Sequence, residues 1–376
     1  MKRQSTPLFE VTSKEIFSSL DGWQGLVNRF SDLRLDTDEA IYVAVVGSRM
    51  PLSQLLITPS LHGVKEIRKT ESLSLFSHQL RGEHNKGKAA SRQFLVAQTG
   101  HPIVSLVLYI GSSDYWRKGV LPLIESLYPK AAFPFLTQKE IQLTLGHLQK
   151  SLRPQGIRIV EFSSKKRLPG TARKKFQSVR EWTDADLDTV FSEARDENIW
   201  FRSIKFDIVD INNTTPISTG VRTVLSKYGY FSCSGRFEFF ARTLVRDLVE
   251  MSAKKLTFFS DRDRLTNPNH DPKPIKISFD RSIFVKSDQI RKLTEVMKRF
   301  RHGTCTVLHS NPYMHVSMVD NIDYSSADIW VLSQEEILVV PQLQASASAL
   351  KRIVNHIFEN FREGEVSDVK EQYTAV

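Results

Sequence analysis

The chain has 376 residues, 40% of them hydrophobic and 25% charged, a globular composition long enough for two or three domains. Its most apolar stretch, PIVSLVLYIG at 102–111, falls far short of the roughly 18 residues of a membrane span, and MKRQSTPLFEVTSKE lacks an apolar signal region, so a cytoplasmic protein without membrane contact is expected. Cys233 and Cys305 stand apart with no Cys or His at metal-ligand spacing, which argues against a disulfide framework or a zinc knuckle, while a formal net charge of +10 favours an anionic partner.

TSKE at 12–15 reads as a capping box, and Ile16, Leu20, Trp23, Val27 and Phe30 follow at helical spacing. AIYVAVVGSR at 40–49 and PIVSLVLYIGSSD at 102–114 are strand-like runs ending in Gly-Ser, each leading toward a helical segment. Between them, short apolar groups alternate with turn residues, predicting antiparallel strands and an exposed loop at 82–91, with Arg81, Lys86, Lys88 and Arg92 as a secondary basic group. TQKE at 137–140 is a second capping box for a helix with Ile141, Leu145, Leu148 and Leu152 on one face, stopped by Pro154; GIRIVEF follows as a strand.

SSKKRLPGTARKKF at 163–176 then gathers Lys165, Lys166, Arg167, Arg173, Lys174 and Lys175 around a Pro-Gly turn with no carboxylate among them. Segment 162–180 holds only basic charges, and 181–197 is strongly acidic, so the two nearly cancel and the positive excess is spread along the rest of the chain. Broken periodicity here predicts a basic linker at 163–180 between an N-terminal α/β domain, 1–162, and a C-terminal α+β domain, 181–364.

WTDADLDTVFSEA predicts an acidic helix, IWFRSIKFDIVD and VRTVLSKYGYFSCSG predict strands, and 236–254 a helix with Phe237, Phe240, Leu244, Val245 and Leu248 inward. Ile290, Leu293, Met297 and Phe300 mark a helix ended by Gly303. TCTVLH, MHVSMVDN, ADIWVLS and EEILVVPQ then form the pattern of a four-stranded antiparallel meander. Leu350, Ile353, Val354, Ile357, Phe358 and Phe361 define a closing helix, and 365–376 reads as a polar tail. The expected class is multidomain α+β, its C-terminal unit built of helix, meander and helix.

Few motifs carry chemistry. In VAVVGSRMP a strand ends in Gly47, Ser48 and Arg49, where backbone amides and a guanidinium can bind phosphate. Over about ten residues this resembles the opening motif of nucleotide-binding Rossmann-like proteins of the SLOG type, a resemblance that implies a nucleotide site. The chain has no Gly-Gly pair, P-loop or G-x-G-x-x-G. His302-Gly-Thr304 and His315-Val-Ser317 share the His-x-Ser/Thr form of the two-histidine phosphoesterases, and His309 and His315 flank a hairpin. The loop SDRDRLTNPNHDP at 260–272 is rich in oxygen ligands but interleaved with Arg262 and Arg264, so it reads as a connection and no metal is expected. Arg352 and His356 miss the spacing of a HEPN ribonuclease and read as the solvated side of a helix.

No catalytic constellation or cofactor motif emerges. The basic stretch, flanked by Phe162, Phe176 and Trp182, points to nucleic acid, DNA or RNA, held through its phosphates without strong sequence specificity. Lys165, Lys166, Arg167, Arg173, Lys174 and Lys175 are the principal contacts. A nucleotide sensor or a phosphodiesterase or nuclease at the Gly47–Arg49 turn or the His309/His315 hairpin is the alternative. The size and charge also suit an accessory component of a defence or mobile-element system with a protein partner.

Overall fold

The computed structural model describes residues 22–33, 35, 39–58, 61, 63–79, 91–166, 177–185, 187–196, 199–210, 217–266, 268, 271–310 and 313–369. The chain divides into two compact units, Met1–Ala253 and Lys254–Val376.

In the first unit, α1 (Gly22–Ser31) carries the buried Val27 and Phe30 of the first predicted helix, with Leu26 buried beside them. The capping box at 12–15 lies outside the described residues. Then come β1 (Glu39–Ser48), the short α2 (Leu52–Leu56), and β2 (Val64–Lys69), β3 (Leu73–Gln79), β4 (Ser91–Gln98) and β5 (Val104–Ser112). Helix α3 (113–126) contains a π turn at Trp116–Val120 and leads to β6 (Ala131–Ala132) and α4 (Gln138–Ser151). The capping box of α4 forms as its sequence predicts: the Glu140 amide donates to the Thr137 hydroxyl, and the Thr137 amide donates to the Glu140 carboxylate. The unit continues with β7 (Gln155–Lys166), β8 (Gln177–Ala185), α5 (Leu187–Asp196), β9 (Ile199–Asp210), β10 (Ile217–Ser226), β11 (Tyr230–Cys233) and α6 (Glu238–Ala241); the division falls within α7 (Leu244–Ser260).

These strands make one sheet in the order β2-β3-β4-β5-β1-β11-β10-β9-β7-β8, with β6 beside β1. The residues flanking the expected linker are therefore paired strands, Lys165 opposite Gln177, and 167–176 connects a hairpin rather than two domains. β1 runs antiparallel to both β5 and β11. That differs from the parallel arrangement a Rossmann-like resemblance implies: β2, β3, β4 and β5 follow one another as antiparallel neighbours, without the helical crossovers that parallel strands require, and β5 then pairs with β1. The first unit is accordingly α+β.

Register explains the core. Leu108, Val43, Phe231, Leu225, Ile204 and Phe162 form one buried row from β5 to β7, and Ile110, Ile41, Cys233, Thr223, Phe206 and Ile159 form the next. Burying each large side chain stabilises by about 1.5–3 kcal/mol. Phe240 meets this face at Phe231, Phe237 packs against Phe30 of α1, and Phe191 of α5 meets Phe201 beside Phe162. On the other face, α2 and α3 cover Tyr42, Ala44 and Val46, while β10, β9 and β7 carry polar side chains: Asp207 lies between Arg222 and Arg158, and Glu161 pairs with Lys205.

Under α3, the ring of Tyr42 stacks on those of Tyr109 and Trp116, and the Tyr115 hydroxyl meets His78 Nδ1 at 3.2 Å. Burial raises the Tyr42, Tyr109 and Tyr115 phenols and lowers the His78 imidazole. Gly111, at φ +139°, makes room for this cluster: a Cβ there would come within 2.5 Å of the Tyr109 hydroxyl.

The second unit contains β12 (Ile275–Ser278), α8 (Ser287–Lys298), β13 (Gly303–His309), β14 (Met314–Asp320), β15 (Ser326–Val331), β16 (Glu336–Pro341), α9 (Ala347–Asn360) and β17 (Glu365–Asp368). The predicted meander is present as β13-β14-β15-β16, and β12 and β17 extend it to a six-stranded sheet. Residues 365–368, expected as tail, pair with β12, an edge that local sequence does not reveal. Met314, Val316, Met318, Ile329, Val331, Ile337 and Val339 are buried, as are Leu293 and Met297 of α8 and Leu350, Ile353 and Ile357 of α9. No helix among the described residues is long and apolar enough to cross a membrane.

Candidate nucleic-acid interface

The basic stretch lies at the end of the β7–β8 hairpin. Lys165 and Lys166 are the last residues of β7, where Lys165 stands opposite Gln177 of β8 and Trp200 of β9. Arg167, Arg173, Lys174 and Lys175 belong to the connection and lie outside the described residues. The hairpin forms because β7 buries Ile157, Ile159 and Phe162 at near-alternate positions, while β8 pairs it as the edge strand of the sheet.

Gly47, Ser48 and Arg49 close β1. Each step from β1 through β11, β10 and β9 to β7 is antiparallel, so β1 and β7 run in the same direction and finish at the same end of the sheet. Val43 and Phe162 mark the shared row, which spans about 19 Å at ordinary strand spacing. Arg49 lies beyond Val43 as Lys165 and Lys166 lie beyond Phe162.

The turn does not make the amide cradle its sequence suggests. Ser48 N donates to the Ile103 carbonyl at 2.9 Å and Arg49 N to the Lys130 carbonyl at 3.4 Å, while Gly47 pairs with Val104 and Ala132. Ser48 is buried and Arg49 exposed.

The early basic loop belongs elsewhere. β3 and β4 close at Gln79 opposite Ser91, and β3 runs counter to β1, so the connection holding Arg81, Lys86 and Lys88, which lies outside the described residues, leaves the opposite end of the sheet from Arg49. Arg92 begins the return strand there.

In the second unit, His309 and His315 form a cross-strand pair, and the His315 ring stacks on Trp330 with 3.5 Å between centroids. His315 Nε2 lies 3.5 Å from Asp328, whose carboxylate also accepts from Gln342. His302 is not brought to this pair: it precedes Gly303 at the far end of the hairpin, about 20 Å away by strand rise. A two-histidine phosphoesterase arrangement is thus not assembled by these motifs.

Other candidates have structural duties. Asp263 of the acidic loop is buried, and its carboxylate accepts from the amides of Thr266 and Ala347, fixing the start of α9. Arg262 is buried against the Phe258 ring and pairs with Asp368. Arg352, expected on a solvated face, instead donates at 2.6 Å to the fully buried Asp320 and at 3.3 Å to Asp323. Burial alone would raise the Asp323 carboxyl, but hydrogen bonds from Ser325 and Ser346 and the Arg352 charge outweigh it and hold it below its ordinary value. His356 Nε2 meets the Val296 carbonyl at 2.7 Å, and burial lowers its imidazole. Both partners come from distant segments, which is why helical periodicity missed them. Among the described residues no group of three or more His, Cys, Asp or Glu side chains is placed to hold a metal ion.

The sequence matches no known family model, and no curated protein matches it.

Proposed function

We propose that this protein binds nucleic acid through the phosphate backbone, without strong sequence specificity, using Lys165, Lys166, Arg167, Arg173, Lys174 and Lys175 at the end of the β7–β8 hairpin. The observation that carries this reading is the hairpin itself, which joins a carboxylate-free basic segment to the edge of a large sheet in a chain of formal net charge +10. Cations grouped in this way release counterions from a polyanion on binding, so affinity falls steeply with salt.

The test is a salt titration of binding to labelled single- and double-stranded DNA and RNA, with and without magnesium, reading both mobility and strand integrity. Replacing all six residues by Gln is expected to flatten the salt dependence, the log–log slope falling by about 4–5. Unchanged affinity in that variant would sink the proposal. A second reading, phosphodiester chemistry at the His309/His315 hairpin, draws on the pairing of His315 with Asp328. It requires strand cleavage that His315→Ala abolishes.

A further inference from the structure

We infer that the strand ends between Arg49 and the β7–β8 hairpin form a continuous track for single-stranded nucleic acid, with Tyr228 as its stacking ring. This rests on the proposed function and extends its footprint from one connection to a whole end of the sheet.

The intervening residues are joined by backbone contacts. Lys130 accepts the Arg49 amide; Lys227, in the turn between β10 and β11, donates its amide to the Arg202 carbonyl of β9 at 2.9 Å. Arg202 sits where β9 shifts register against β7, between the Ser203–Ser163 and Phe201–Ser164 pairs, one pair from Lys165. Arg49, Lys130 and Arg202 are exposed and Lys227 is half-buried. The order across the sheet is therefore Arg49, Lys130, Lys227, Arg202, then Lys165 and Lys166. Among the described residues, exposed carboxylates at this end include Glu125, near the end of α3, and Glu71, in the turn between β2 and β3 at the far side of the sheet.

The aromatic component is built in. Gly229, at φ +67°, closes the turn against Pro134, where a Cβ would come within 2.3 Å of the proline ring. Tyr228 beside it is 38% exposed, its ring held edge-on to the buried Phe135 at 6.4 Å, and the Lys227 ammonium lies 4.7 Å from the Phe135 centroid and 5.2 Å from that of Tyr228. An exposed ring between point charges suits unpaired bases, which can stack on it while their phosphates meet lysine and arginine; bases already stacked in a duplex cannot. That chemistry selects a single strand as the occupant.

The experiment compares wild type, the hairpin variant with all six residues changed to Gln, a track variant carrying Arg49→Gln, Lys130→Gln and Arg202→Gln, and Tyr228→Ala with Tyr228→Phe. Each is titrated with labelled oligo-dT and oligo-U from about 5 to about 25 nucleotides and with a duplex of matching length. The track variant is expected to bind the shortest strands as wild type does, to lose about tenfold on the longest, and to show a salt slope smaller by about 2. Tyr228→Ala weakens single strands about tenfold and spares the duplex, and Tyr228→Phe restores binding. Wild-type affinity and slope in the track variant on long strands would overturn the track; if the hairpin variant fails at every length in that case, the proposed function still stands. Tighter binding of duplex than of single strand by wild type would also overturn it. No binding by wild type at low salt would remove the proposed function itself.

Discussion

The two units differ in where particular arginines and lysines sit. In the second, Arg352 is enclosed with Asp320 and Asp323, the buried Arg262 pairs with an exposed Asp368, and Lys276 faces Glu336 at 3.0 Å. In the first, Asp207 takes up Arg158 and Arg222 on the sheet face, but Arg49, Lys130, Arg202 and the basic stretch gather at strand ends and connections. Arg262 is buried and Arg352 largely so in the second unit, whereas Arg49, Lys130 and Arg202 of the first are exposed at one end of its sheet. A positive formal charge therefore says that a polyanion is a plausible partner; only placement says where it would bind.

The contrast can be broken most severely at Arg352. Arg352→Met leaves Asp320 buried without its cation and is expected to cost about 3–5 kcal/mol, read as a lower denaturant midpoint for the second unit, with nucleic-acid binding retained at concentrations where that unit stays folded. The sixfold Gln variant of the hairpin should do the reverse: the salt-dependent affinity largely disappears while the denaturation midpoints hold, since exposed charges contribute little to stability. Equal stability loss in the two variants would erase the distinction between the units. Gly111→Ala forces a non-glycine residue to φ +139° and presses on the Tyr109 hydroxyl, so the first unit should lose about 1–3 kcal/mol, measured by the same unfolding curves.

The smallest effect is expected from pH. Burial lowers both His78 in the first unit and His356 in the second. Below the ordinary imidazole value the unfolded chain takes up a proton that the folded chain resists, so stability is present at neutral pH and is lost as pH falls from about 7 toward 5. Gln at position 78 or 356 should flatten that dependence in the corresponding unit alone; the same slope in His356→Gln as in wild type for the second unit would contradict the assignment.

Elements whose signals are local were legible in the residues. The Thr137–Glu140 capping box, the run Ile199–Asp210 and the alternation of the last four meander strands all translate into structure because each depends on hydrogen bonds or faces set within a few residues. The Pro-Gly basic stretch resembles a linker by the same local criteria, since a hairpin connection and a domain linker share turn residues and charge. Glu365–Asp368 reads as a tail because its partner edge, β12, lies far back in the chain. Arg352 and His356 read as solvated because helical periodicity marks a polar position but cannot foresee a buried Asp320 or a Val296 carbonyl arriving from another element.

Composition and periodicity by themselves determined an α+β chain with a positive excess, a C-terminal meander between helices, and a concentrated basic segment. Tertiary structure alone decided that this segment closes a hairpin, that Arg49 finishes at the same end of the same sheet, and that the Ser48 and Arg49 amides are already spent on the Ile103 and Lys130 carbonyls. The reason is physical: propensity and amphipathic period act over a single element, whereas strand order and direction arise from pairings between segments far apart in sequence, and those pairings choose which charges become neighbours.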